Sequence, residues 1–202
     1  MRLTKANSKA INYACKNFHY SKSVPTIQYA YNVYNDKNEW CGVIIYDGGA
    51  NNNLAKSFNL NNGEVLELER VALNGKQEQT SKAVALSLKL LHKENPIVKI
   101  LVSYADHRQK HVGTIYKATN WIYLGISKTS DTQYFYKGKW THERTINSKN
   151  NKEYLKKTLL KRQNSNKFKY IYCFDKELKQ KYEGIKKEYP KESELTNKDN
   201  SV

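Results

Sequence analysis

The sequence predicts a mixed α/β (α+β) domain, a β-sheet of mixed strand direction flanked by helices, with a basic C-terminal extension. Three observations predict it. The apolar periodicity alternates between helical and strand repeats in the order helix, strands, strand, helix, strand, helix, strands. A length of 202 residues is enough for one substantial domain with a buried core. Hydrophobic residues make up 39% and aromatic residues 12%, mostly tyrosine, which separates the chain from disordered sequences.

The elements follow in order. NSKAINYACKN (7–17) spaces Ile11, Ala14 and Cys15 on one helical face, with Asn7 or Ser8 as the cap. Pro25 then enforces a turn. IQYAYNVYN (27–35) alternates aromatic and polar residues, and WCGVIIYDGG (40–49) is an apolar strand ending in a glycine pair. An Asn-rich loop leads to VLELERVAL (65–73), which alternates like a half-buried strand. Ser81 is placed to cap a helix over 81–95, with Ala83, Leu86, Leu90 and Leu91 on its inner face. Pro96 ends it, and IVKILVSYA (97–105) is the clearest strand. A short helix is expected over 113–120, and TQYFYKGKWTHER (132–144) reads as a hairpin turning at Lys137 and Gly138. After residue 145 the chain becomes basic and amphipathic, with a short strand at KYIYCFD and a charged, fraying end. The expected organisation is a folded domain over 1–145 and a basic extension over 146–202.

The formal net charge of +16 creates a positive surface field. Nucleic acid is the first partner it suggests and an anionic membrane the second. Solubility or an AT-rich coding sequence would also produce it. No stretch approaches the roughly 18 apolar residues needed to cross a bilayer, so a soluble cytoplasmic protein without a membrane partner is expected. Cys15, Cys41 and Cys173 are few, odd in number and far apart, and read as reduced thiols rather than a zinc site.

Ligands of α/β sheets bind beyond the carboxyl ends of strands. LVSYAD ends there, and the run to Trp121 is dense in titratable groups. Asp106 could orient a base, hold a metal or accept a proton, or simply cap a loop. His107 and His111 have the spacing of a helical metal pair, although their run reads as loop. Tyr116 could point back as a proton donor, or pack on a helix face. His19 and Tyr20 stand in a polar loop, FHYS, where function and structure are equally served. Arg70 interrupts an apolar strand, with Glu67 and Glu69 as candidate partners. Ser81 opens a helix whose N–H groups could hold a pyrophosphate. Neither a P-loop nor GxGxxG is present. Lysines interleave with aromatic residues in YFYKGKW and KYIYCF, a pairing that suits nucleic acid or sheet core alike.

Taken together, FHYS, ELERVAL, SKAVALSLKLL, LVSYAD and HVGTIYKATNWIYLG resemble the Mom DNA-modification proteins of Mu-like bacteriophages over about residues 15–145. The resemblance implies a GNAT-like acyltransferase fold. It implies conversion of adenine in double-stranded DNA to an N6-carbamoylmethyl (acetamido) form, which protects phage DNA from restriction in the bacterial cytoplasm. It implies His19, Tyr20, Ser81, Asp106 and Tyr116 as catalytic residues, and Arg70, Ser81, Lys82 and Ala83 as ligands of acetyl-CoA or a related acyl-CoA. Iron is implied as a second cofactor, with His19 and Asp106 as its ligands. GKQEQTS (75–81) departs from the glycine-rich Q/R-x-x-G-x-G/A turn of common acyltransferases. The target base would have to leave the duplex, with Trp121 and Tyr123 stacking on it. The basic tail would serve as a DNA clamp or as the arm of a homodimer, and charge favours the clamp. Two other readings stand beside this one: a GNAT-type N-acetyltransferase acting on a protein or small-molecule amine, and a DNA-binding protein without activity.

Overall fold

Helix α1 (Ser8–Phe18) follows from its local chemistry. Asn7 is extended, and its side chain accepts the Ala10 N–H at 2.9 Å, satisfying one free donor of the first turn. Ile11, Ala14 and Cys15 are the residues the helix buries, as their spacing predicts. In the computed structural model, which describes residues 1–49, 53–106, 109, 112–127, 132–163 and 167–191, this helix lies against one face of a seven-stranded sheet.

That sheet runs in the order β1 (Arg2–Lys5), β2 (Tyr29–Tyr34), β3 (Trp40–Asp47), β4 (Val65–Leu73), β5 (Ile100–Asp106), β10 (Lys167–Cys173), β6 (Ile122–Ser127). The β4–β5 pair is parallel and the other neighbours are antiparallel. The crossover between the parallel strands is α2 (Thr80–Glu94), as a βαβ unit requires. The main core lies beneath α2, where Leu66, Leu68 and Leu101 meet Val84, Leu88 and Leu91. The opposite face is covered by α1 over Val43, Ile45 and Ala72, and by Phe58 and Tyr182 of α6 (Lys176–Glu183) over Val65, Ile100 and Ile171.

The segment after 145, expected as an extension, supplies β10, an inner strand of the main sheet. Phe168 and Tyr170 face the main core while Ile171 and Cys173 belong to the second cluster, so the strand is anchored from both sides. Helix α2 buries Ala83 and Leu91 as expected, but its inner face is turned toward Val84, Ser87 and Leu88 rather than Leu86 and Leu90. Ala83, Val84, Ser87, Leu88 and Leu91 are buried, with Leu90 only partly so. Ser87 is tolerated inside because its hydroxyl lies 2.6 Å from the Tyr46 hydroxyl and donates to the Val84 carbonyl at 2.8 Å. Trp121 and Tyr123, expected to stack on a displaced base, are 1% and 5% exposed in the core. Burial of rings this large stabilises the fold by about 2–3 kcal/mol each and leaves no open face for a ligand.

A second, smaller sheet has the order β8 (Lys139–His142), β7 (Thr132–Tyr136), β9 (Lys161–Gln163). The hairpin between β7 and β8 turns at Lys137 and Gly138, both at positive φ (50° and 77°). That is the backbone a two-residue turn of the primed type needs. Helices α4 (Glu143–Asn147) and α5 (Lys152–Thr158) supply Ile146 and Leu155, which enclose Tyr134 in a separate small core. Among the described residues no helix is long and apolar enough to cross a membrane. The three cysteines are free and buried.

Candidate active site

Strands β4 and β5 share only a short ladder: Val65 opposes Ile100, Leu66 opposes Leu101, and Glu67 opposes Val102. Both strands then continue, to Leu73 and Asp106, without further register pairs between them. Strand β4 also carries a bulge: Ile45 of β3 pairs with Arg70 and Tyr46 with Leu68, which leaves Glu69 as the extra residue. Past the ladder, a cleft of about 520 Å³ is open.

Alternation along the strands sorts what reaches the cleft. On the α2 side stand Ser103 and Tyr116, the latter on α3 (Thr114–Ala118). Past the end of the ladder, the Leu68 carbonyl accepts the Ser103 hydroxyl at 2.8 Å. A serine has one hydroxyl proton. The Tyr116 hydroxyl, 2.7 Å from Ser103 Oγ, therefore donates to it. Tyr116 keeps its oxygen lone pairs for a ligand N–H, and its expected role as proton donor requires the hydroxyl to turn away from Ser103. Burial pushes the Tyr116 phenol up to about 12, against the opposing effect of the Ser103 hydrogen bond.

Tyr116 is held in place by Tyr170 of β10, whose ring stacks on it at 4.6 Å and whose hydroxyl donates to the Val112 carbonyl at 2.8 Å. Gly113 makes this contact feasible. Its φ is 74°, and a Cβ there would lie 2.4 Å from the Tyr170 ring. Gly113→Ala is expected to cost on the order of 3 kcal/mol, from backbone strain and steric overlap together. Urea unfolding should show the loss as a lowered midpoint with an unchanged m-value.

The other side of the cleft is charged. His19 and Tyr20 enter from the turn after α1, Glu67, Glu69 and Arg70 from β4, Asp106 from β5 and Lys167 from β10. Arg70 Nη1 bonds the Glu69 carboxylate at 2.8 Å and the Glu69 carbonyl at 2.7 Å. Arg70 Nε is buried and has no hydrogen-bond partner among the described residues. A buried cationic donor without an acceptor is costly, which makes it a point of attachment for a ligand oxygen. His19 is nine-tenths buried, and its Nδ1 accepts the Ser21 N–H at 3.2 Å, so the neutral ring carries its proton on Nε2. Partial burial, and then the charge of Asp106, push the Tyr20 phenol up, against the Arg70 cation.

Glu67 is the residue the sequence reading missed as a functional group, having taken it only as a candidate partner for Arg70. Burial is the main reason its carboxyl is pushed up to about 8. The charge of Glu69 adds to the shift, Lys167 and Arg70 oppose it, and Asp47 adds slightly. The available signal was a carboxylate in an otherwise apolar strand run, VLELERVAL. Ser103 was likewise a polar residue within LVSYA. Lys167 carried no local signal.

The cleft thus brings His19, Tyr20, Arg70, Asp106 and Tyr116 together. It treats the start of α2 differently from expectation. The cap position is Gln79, whose side chain makes no cap bond, and Ser81 is already the second helical residue. Gln77 and Thr80 line the cleft, whereas Lys82 is exposed and Ala83 is fully buried in the core. The Ala83 N–H is spent on the Gln79 carbonyl at 3.2 Å and is no anion ligand. No group of three or more His, Cys, Asp or Glu side chains able to hold a metal occurs among the described residues. His19 and Asp106 offer two donors, short of the set an iron ion needs, so no iron-dependent step is derived from them. The expected His107–His111 pair lies outside the described residues.

A family model described as the Mom protein family matches residues 1–191, well beyond the 15–145 expected, and includes β10. The "Methylcarbamoylase mom" of Escherichia phage Mu is 28% identical over 134 residues, 64% of this chain and 55% of that protein. The match thus spans about half the length of this curated relative. Among solved structures, a protein provisionally named a phosphinothricin N-acetyltransferase superposes with a TM-score of 0.50 at 9% identity, covering 87% of this chain and 99% of that one. A GNAT-family acetyltransferase from Bacillus anthracis gives 0.49 at 10% identity, over 86% and 95%. At 9% identity the first of these shows the fold alone, a GNAT-like mixed sheet flanked by helices.

Proposed function

The chain belongs to the Mom protein family, and from that premise we propose that it is a transferase that places a carbamoylmethyl (acetamido) group on N6 of adenine in double-stranded DNA. The modification would shield phage DNA from restriction in the host cytoplasm. One observation carries the reading: the opening between β4 and β5 gathers a proton acceptor, a buried cationic donor and three tyrosines in a single cleft. The net charge of +16 supports a polyanionic substrate.

The chemistry assigns roles to these side chains. The adenine N6 lone pair is delocalised into the ring, so N6 is a weak nucleophile that must lose a proton as the new C–N bond forms. Glu67, a carboxyl poised near neutrality, accepts that proton. Arg70 Nε bonds the carbonyl oxygen of the incoming group and orients it. Tyr116 accepts an N–H through its lone pairs. A thioester carbonyl would leave C=O on N6, whereas the carbamoylmethyl product requires a donor whose methylene carbon carries a leaving group: the N6–C bond forms as that carbon–leaving-group bond breaks, and the leaving group departs with its electron pair. Binding of an acyl-CoA-type cofactor is supported by the start of α2, where Thr80 lines the cleft within a first turn that has no acidic residue and no side-chain cap. The base must leave the duplex to reach the cleft.

Mass spectrometry of nucleosides from plasmid DNA tests the proposal, using cells that express the protein or its Glu67→Gln variant. A heavier deoxyadenosine is expected with the wild type, and its mass identifies the added group. In the variant it should fall at least about 100-fold, the scale on which one positioned acid–base group acts. Unmodified DNA from cells containing folded protein would rule the reading out, and acetylation of a free amine would then point to an ordinary N-acetyltransferase.

A further inference from the structure

Among the described residues, the hydrophobic cluster of the three-stranded sheet β8–β7–β9 lies on one of its faces. Tyr134 and Tyr136 of β7 point toward Ile146 and Leu155 of α4 and α5. Strand alternation sends Gln133 and Phe135 to the opposite face, and the register places Trp140 beside Phe135, with His142 and Arg162 beside Gln133. Phe135 and Trp140 are 39% and 36% exposed, high values for rings in a sheet. They meet edge to face at 5.4 Å. The Arg162 guanidinium lies 4.2 Å from the Trp140 ring centre, and its Nε donates to Gln133 Oε1 at 2.9 Å. The rings and the cation are thus held in fixed positions on an open surface. Residues 132–163 contain nine Lys and Arg against two Glu, a surplus of seven positive charges in the sheet and its two helices.

We propose that this outer face is a docking platform for an unpaired DNA strand, with bases stacking on Trp140 and Phe135 and phosphates drawn by Arg162 and by the positive field of the surrounding segment. Exposed rings on a sheet with a basic surround suit bases whose π-faces are accessible, which duplex DNA does not present. The charge surplus complements a phosphate backbone and disfavours a basic-rimmed apolar protein partner. The choice of DNA rests on the function proposed above. The location and the preference for unpaired bases rest on this face alone. An enzyme that extrudes a base from a duplex creates such a strand at its target.

Oligothymidylate, (dT)16, tests the platform without offering adenine to the cleft. Of the three tryptophans, Trp140 is the one on this face, so its emission reports occupancy. Saturable quenching by (dT)16 is expected in the wild type and should vanish in Trp140→Phe, while labelled (dT)16 still binds that variant by anisotropy. The double variant Phe135→Ala, Trp140→Ala should bind on the order of ten- to hundredfold more weakly. Its fold is checked by circular dichroism, and Trp140→Phe keeps a ring in place should the double variant unfold. Equal quenching in Trp140→Phe, or undiminished affinity in a folded double variant, overturns the proposal. So does binding of a duplex in clear preference to (dT)16. Adenine modification is measured separately: modified plasmid without (dT)16 binding removes the platform alone, and binding without modification removes the enzymatic reading alone.

Discussion

Replacing Glu67 with glutamine is expected to slow adenine modification by about 10²- to 10⁴-fold, the range in which one general base acts. Glutamine preserves size and most hydrogen bonding, so the loss isolates proton acceptance. The wild-type rate should rise with pH through an inflection near pH 8, where burial places the Glu67 carboxyl, and level off above it, and the variant should lose that inflection. Stability supplies an independent readout. The folded-state value of Glu67 lies above the unfolded one, so its protonated form favours the fold. That contribution is complete below about pH 4.5 and is lost as the pH rises to about 8. Glu67→Gln should therefore match the wild type in acid and exceed it by a few kcal/mol, on the order of the linkage limit, at pH 9. Denaturation curves at pH 4 and pH 9 measure the difference. An unchanged kinetic inflection in the variant would assign the proton to another group.

Arg70→Lys is expected to lower kcat/KM by about 10- to 100-fold, the worth of one hydrogen bond from a charged donor. Lysine can keep the ion pair with Glu69 but has no counterpart to Nε, the donor left unpartnered in the cleft. Arg70→Met should lose as much activity and also destabilise the fold, because the largely buried Glu69 carboxylate would remain unpaired. The lysine variant therefore separates ligand binding from folding. Steady-state kinetics alongside unfolding midpoints provides the comparison, and a fully active lysine variant would show that Nε meets no ligand.

Both predictions depend on the bulged, parting end of β4. ELERVAL reads as an alternating strand, and nothing local says that its ladder with β5 stops at Glu67. The Glu67 side chain became legible as a proton acceptor only with its surroundings. Its raised value comes from burial and from the charges of Glu69 and Asp47, against those of Lys167 and Arg70, groups that strands β3, β4 and β10 bring together. His19, Tyr20, Arg70, Asp106 and Tyr116 were legible earlier, through their motifs and through the rule that sites form beyond strand ends. Ser81, Lys82 and Ala83 belong to the same helix start, but a two-residue shift of the cap and the turn of the helix move the usable groups to Gln77 and Thr80.

What the sequence determined by itself is what short-range physics determines. Asn7 caps α1, Ile11, Ala14 and Cys15 form its inner face, and Lys137-Gly138 turns a hairpin, because each depends on neighbours within about one turn of backbone. Gly113 belongs partly to this class, as its motif suggested, but the ring that requires it lies on Tyr170. The tertiary structure alone decided that β10 enters the sheet between β5 and β6, that Ser87 sits in the core, and that Trp121 and Tyr123 are packing residues rather than stacking platforms. Each of those outcomes depends on pairing and burial between segments far apart in the chain. Their energies arise only once the chain has closed, and no periodicity within a single segment encodes them.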